Sequence, residues 1–220
     1  MARLTQSRKD GSVMALPAGI TVAAVSTLSI VGPLLGISAA WIALMAGSGL
    51  IALTVDAANL RGLGGHLLVE ALPGGRRRLR RIAIHEAGHL LVAEENTLQV
   101  RRVLVGSLAC LRAGLHSNGA TEFSMPDSLR MTLEDLRCWS RVLQAGVAAE
   151  SLIYGGIARG GSDDRALLGR LWGLSGHDIT TAHREQRRAR REVDRQLRLR
   201  RDELESRAEM LVASAPRLLR

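Results

Sequence analysis

The chain has 220 residues and a formal charge of +9, and of its 30 basic residues all but Lys9 are arginine. A phosphate-gripping GxxxxGK[ST] loop needs its own lysine in a glycine-rich turn, and Lys9 stands in Ser7-Arg8-Lys9-Asp10-Gly11, so no ATPase of that kind is recognisable. Cys110 and Cys138 are too few for a disulfide scaffold and too far apart for a CxxC site, so they read as reduced, buried thiols, and Phe123, Tyr154 and three tryptophans make no stacking platform for single-stranded nucleic acid.

The first predicted element is an uncharged run of 45 residues between Asp10 and Asp56. At about 1.5 Å per residue a single helix of that length is twice what a hydrocarbon core of roughly 30 Å needs, so two passes fit better. Gly32-Pro33 marks the turn, and Val13 to Val31 and Leu34 to Val55 become two transmembrane helices in a tight hairpin. Gly36, Ser38, Ala39, Ala40, Gly47, Ser48 and Gly49 let the helices approach closely, whereas Trp41 is uninformative. Arg3, Arg8 and Lys9 precede the hairpin and Arg61, Arg76, Arg77, Arg78, Arg80 and Arg81 follow it, which puts both ends on the cytoplasmic side. A cleaved secretory signal is the competing reading, but its apolar core would be only about 7–15 residues and the basic segment would resist export.

Asp56 to Gly75 reads as a glycine-punctuated juxtamembrane connector, with one amphipathic turn at His66-Leu67-Leu68-Val69. A helix from about Arg77 to Glu95 follows, carrying His85-Glu86-Ala87-Gly88-His89. Imidazoles at i and i+4 share one helix face, so His85 and His89 can bind one zinc ion while Glu86 serves as general base towards a water; two solvent-facing histidines on an amphipathic helix is the plainer alternative. Gln99 to Leu108 and Arg112 to Phe123 hold short β-prone segments with Ser117-Asn118-Gly119 as turn punctuation, which suggests a small sheet beside that helix.

Thr132 can cap a helix with Asp135 near the capping-box position, and apolar residues continue to Tyr154, where Gly155-Gly156 stops them. Gly160-Gly161-Ser162-Asp163-Asp164 starts another helix, to about Leu174. The last helix, about Ile179 to Ala213, spaces Val193, Leu197, Leu204, Ala208 and Leu211 close to 3.5 residues apart. Its arginines invite a lipid or nucleic-acid reading, but Glu185, Glu192, Asp194, Asp202, Glu203, Glu205 and Glu209 dilute the field, which favours a solvated helix that packs or oligomerises through its apolar stripe.

In this order, the His85–His89 pentapeptide, Gly119 to Pro126, Met131 to Leu136, Ala145 to Gly155 and Gly160 to Asp164 resemble the proteolytic domain of the FtsH family of membrane-anchored, ATP-dependent zinc metalloproteases, over about residues 80 to 213. The resemblance implies a mainly helical domain, zinc on His85 and His89, a third ligand at Asp164, and two transmembrane helices with cytosolic termini. The family's AAA ATPase module has no counterpart here, since only about twenty residues separate hairpin and protease. Asp163 also replaces the family's usual amide, and Arg165-Ala166-Leu167-Leu168-Gly169 departs from its alanine-threonine pattern.

An ionised Asp164 is favoured by the positive end of a helix, although Asp163 and Asp164 also suit plain capping. Glu150 is the other candidate, either as third ligand or as a carboxylate orienting a histidine. His66, His116, His177 and His183 lack ligand spacing and read as surface residues. The expectation is a mainly α protein with a small β element: residues 1–12 a cytoplasmic N-terminus, 13–55 two transmembrane helices, 56–75 a connector and 76–220 an FtsH-like zinc peptidase domain. Its function would be zinc endopeptidase action on unfolded or membrane-protein segments without its own ATPase, as a homo-oligomer or beside FtsH-type subunits, with no nucleic-acid partner. The alternative is a catalytically silent membrane scaffold or partner subunit; an intramembrane protease is disfavoured because Arg76 to Arg81 and Glu94-Glu95 bracket the motif.

Overall fold

Glycines and capping side chains punctuate the chain. The computed structural model describes residues 11–60, 62–124, 130–156 and 158–217; Arg3, Arg8, Lys9, Arg61 and Met125-Pro126 lie outside them. Helix α1 (Gly11–Val31) stops at Gly32, a short turn at Pro33–Leu35 and Gly36 at φ 73° redirect the chain, and Ser38 caps α2 (Ala39–Val55). The two helices pack together at this turn: a Cβ on Gly32 would lie 2.8 Å from Ile42, whereas Gly47, one of the expected contact residues, faces open space. Counting its continuation through a widened helical turn, Ala39–Asn59 is long and apolar enough to cross a membrane, while the described apolar part of α1 is the shorter Val22–Val31.

The segment expected as a connector carries a helix that packs on the helices Gly75–Glu95 and Ser107–Arg112. Asp56 accepts the Gly64 and Gly65 N–H groups at 2.7 and 2.9 Å, satisfying donors that a helix start leaves orphaned, and α3 (Leu63–Ala71) buries Leu63 and His66. Helix α4 (Gly75–Glu95) follows Gly74 at φ 99° and is buried on nearly every side from Ala83 to Ala93. Strands β1 (Val100–Val105) and β2 (Gly119–Phe123) pair antiparallel, with Val105 opposite Gly119 and Val103 opposite Thr121. Between them the structure places α5 (Ser107–Arg112), so Ser117-Asn118 leads into β2 from a helical connection rather than forming a tight hairpin.

Helix α6 (Leu133–Tyr154) opens on the expected capping box of Thr132 and Asp135 and ends at Gly155. Helix α7 (Ser162–Leu174) begins after Gly161 at φ 85°. The expected single C-terminal helix is two, α8 (Ile179–Leu199) and α9 (Arg201–Ser214). The break at Arg200 has a packing cause: α8 lies along α6 and α9 along α4, and one straight helix cannot follow both.

The core is therefore α4 flanked by α6 and α9, with α8 packed along α6, and it gathers Ile84, Leu91 and Val92 in one cluster with Val142, Val193, Leu197, Leu204 and Val212. A second cluster around Leu136, Trp139, Leu171 and Trp172 joins α6 to α7. Both cysteines are free, Cys110 buried and Cys138 half-buried.

Candidate metal centre

Small residues bring the two site-bearing helices into contact. A Cβ on Gly88 of α4 would stand 2.7 Å from both the Ala145 carbonyl oxygen and the Ala149 methyl of α6, so the backbones cross where neither carries bulk. That crossing lays the buried His85, Glu86 and His89 against Gly146 and Glu150. The turn into α7 supplies Asp164, whose Oδ2 lies 3.1 Å from His85 Nε2 and 3.3 Å from His89 Nε2. One ligand atom each from His85, His89 and Asp164 fall within 4.8 Å of one another.

The second nitrogen of each imidazole is held separately. Val142 O lies 2.8 Å from His89 Nδ1, and Glu150 Oε1 lies 2.8 Å from His85 Nδ1, so each Nδ1–H donates outward and each Nε2 turns to Asp164, carrying a proton in the charged ring and free to offer its lone pair to a cation once that proton leaves. Glu150 is itself fixed by Arg81 Nε at 2.7 Å and by the Arg159 and Gly160 N–H groups, both at 3.1 Å. Of the two roles open to Glu150, its position on the far side of the His85 ring suits orientation rather than ligation. Asp163 is exposed on the first turn of α7.

These contacts shape the titration. Burial opposes charge on His85, yet Asp164 and Glu150 overcome it and push the imidazole up to about 10. His89 is raised in the same way by Asp164, against burial. Burial raises Glu86, against the neighbouring imidazoles and Thr121. Asp164 and Glu150, despite burial, are held well below the usual carboxylate range, Glu150 to about 2. Three carboxylates with Arg81 in one buried site demand further positive charge, which protons on the imidazoles or one divalent cation can supply.

The donor set fits a cation. Two imidazole nitrogens and a carboxylate suit zinc, and ligands about 2.0–2.1 Å from a tetrahedral ion stand about 3.3 Å apart, close to the two separations from Asp164 Oδ2. Gly146 keeps this space clear, since a Cβ there would lie 2.3 Å from His85 Nε2 and 2.5 Å from His89 Nε2.

Several site residues lie in the quoted segments Gly119 to Pro126 and Ala145 to Gly155 but had no role assigned from sequence. Thr121 donates to Glu86 Oε2 at 2.8 Å, and Gly119 leaves room beside Glu86 Oε1, where its Cβ would stand at 2.6 Å. Phe123 places its ring edge-on to His89, with centroids 6.3 Å apart. Gly146 was legible in principle, since it precedes Glu150 by one helical turn in an alanine-rich stretch. The histidines expected at the surface divide: His116 and His183 are exposed, His177 is half-buried against Trp172, and His66 is buried. His66 is a correction. Its burial follows from the packing of α3 on α4, and burial together with Arg78 pushes its pKa down to about 4.

Searches of protein-family models, curated proteins and solved structures returned no match to this chain.

Proposed function

We propose that this protein is a zinc metalloendopeptidase anchored in a membrane by its N-terminal apolar helices, similar in its proteolytic chemistry to the FtsH family. The observation that carries the proposal is the convergence of His85, His89 and Asp164 with Glu86 beside them, on elements far apart in sequence. His85, His89 and Asp164 would hold the metal, and Glu150 would orient His85. A zinc ion held there supplies Lewis acidity, which acidifies a water and polarises a peptide carbonyl.

The chain's own residues perform the proton transfers. Thr121 occupies Glu86 Oε2, which leaves Oε1, facing the bare Gly119, to take a proton from the attacking water. Burial raises Glu86 from the ordinary carboxylate range and so improves it as a base near neutral pH, and the same proton can then pass to the leaving amine. A two-stranded sheet leaves each strand one unpaired edge, and β2, whose Thr121 and Phe123 touch the site, offers an extended polypeptide a place to lie. The substrates proposed are segments that are already unfolded, or accessible tails of membrane proteins.

Membrane anchoring is supported by apolar side chains that α1, α2 and their turn leave uncovered, including Ile30, Leu34, Leu35, Trp41, Leu50 and Ile51. A contiguous apolar surface of this kind needs lipid or a partner. The arginines from Arg76 to Arg81 support a cytoplasmic position for the peptidase domain by the bias of basic residues towards that side.

The test is zinc analysis of the purified full chain together with degradation of unfolded casein without ATP. Unmutated protein should contain zinc and cleave, and Glu86→Gln should retain zinc and lose cleavage. Cleavage by Glu86→Gln would remove Glu86 from the mechanism, and a zinc-loaded unmutated chain that cleaves nothing would favour the scaffold reading.

A further inference from the structure

The polar contacts on α3 are more specific than an anchor requires. Its start is tied to the end of the apolar helix, because Asp56 accepts the Gly64 and Gly65 N–H groups. Its middle is tied to α4 by the contact between Arg78 and His66 Nδ1. Its end carries Glu70, a carboxylate with a side chain only 8% exposed. Glu70 accepts from the Ser107 amide at 3.0 Å and from the Ser107 hydroxyl at 2.7 Å.

Ser107 Oγ is also 2.9 Å from the side-chain amide of Asn118, the residue before β2. One hydroxyl proton cannot serve two acceptors. With the Asn118 amide turned to present its NH2, Asn118 donates to Ser107 and Ser107 donates to Glu70, so every link is satisfied. The Asn118 carbonyl is separately held by the Gly106 N–H at 2.8 Å. Gly119 then packs so closely on Glu86 that a Cβ would overlap it, and Thr121 bonds Glu86 Oε2 at 2.8 Å.

We infer that Glu70 is a positioning residue for Glu86: through Ser107 and Asn118 it sets the height of β2 over α4, and so the placement of the base. Because α3 is also tied to Asp56, the same bonds join the end of the apolar helix to the site. The inference rests on the proposed role of Glu86, but half of its test does not.

That test uses the full chain. Glu70→Ala should raise amide hydrogen exchange in residues 119–124 by about tenfold while the α4, α6 and α8 core keeps its protection, because the loss is local. Zinc content should be unchanged. Cleavage should lose about 10–100-fold in kcat with KM within about twofold, since a base displaced by a fraction of an ångström weakens the chemical step more than binding. Glu70→Gln, which keeps one acceptor oxygen, should restore most of both readouts. Glu70→Ala and Thr121→Val combined should lower kcat by clearly less than the product of their separate effects, the mark of one shared path. Unchanged exchange at 119–124, or a rise spread evenly over the domain, overturns the inference whether or not the protein cleaves. Multiplicative effects of the two substitutions also overturn it. An unmutated protein without activity, but with the local exchange change, would remove the proposed function and leave the mechanical link standing.

Discussion

Gly146→Ala is the most direct probe of the candidate metal centre, because it adds one methyl group and removes none of its proposed ligands. That methyl would stand 2.3 Å from His85 Nε2 and 2.5 Å from His89 Nε2, where ordinary contacts begin near 3.4 Å, so each imidazole has to give by about 1 Å. The rings have little room to do so, since Glu150 and the Val142 carbonyl hold their Nδ1 atoms at 2.8 Å. Metal sites tolerate displacements of only about 0.2 Å, so zinc retention should fall sharply. Overall stability should change far less. Crowding a packed interior costs about 1–3 kcal/mol, while alanine in place of glycine inside a helix returns about 1 kcal/mol. The net loss of at most about 2 kcal/mol corresponds to about 8 °C or less in the melting temperature of the metal-free chain. Zinc measured after dialysis against a weak chelator, beside a melting curve in EDTA, reads both quantities. A variant that keeps its zinc, or one that loses zinc only because it no longer folds, would refute the reasoning.

Two further predictions concern the ligands and pH. After dialysis, Asp164→Ala should lose most of its zinc, Asp163→Ala should keep it, and Glu150→Gln should lie between with about 10–100-fold weaker affinity; loss in Glu150→Gln with retention in Asp164→Ala would make Glu150 the third ligand. In the metal-free chain, His85 rises from 6.5 to about 10 on folding, so its stabilisation is complete below 6.5 and is lost as pH climbs towards 10. His66, lowered from 6.5 to about 4 on folding, has the opposite effect: protonation favours the unfolded chain as pH falls below 6.5. Stability in EDTA should therefore fall as pH rises from 6.5 to 9.5, and a denaturation midpoint that stays level over that range would contradict it. Zinc should tighten over the same rise in pH, as protons leave the imidazoles.

Local signals were legible in the sequence because their cause lies within a few residues. The Thr132–Asp135 capping box, the stop at Gly155, the break at Gly32-Pro33 and the i, i+4 pairing of His85 with His89 each depend on neighbours within one or two helical turns. The apolar run to Val55 was equally plain, since hydrophobicity is a property of composition. What tertiary structure decided is everything that depends on which elements touch. Asp164 reaches the imidazoles from 75 residues beyond His89 because α7 begins where the α4–α6 crossing ends, and only that crossing puts Glu150 on the far nitrogen of His85. The same holds for the opening left by Gly146, the burial of His66 between α3 and α4 and the break at Arg200, where α8 and α9 follow different partners. Spacing along a chain records the period of a helix, but it holds no record of the distance between two helices, and that distance is what turns two histidines and an aspartate into one candidate site.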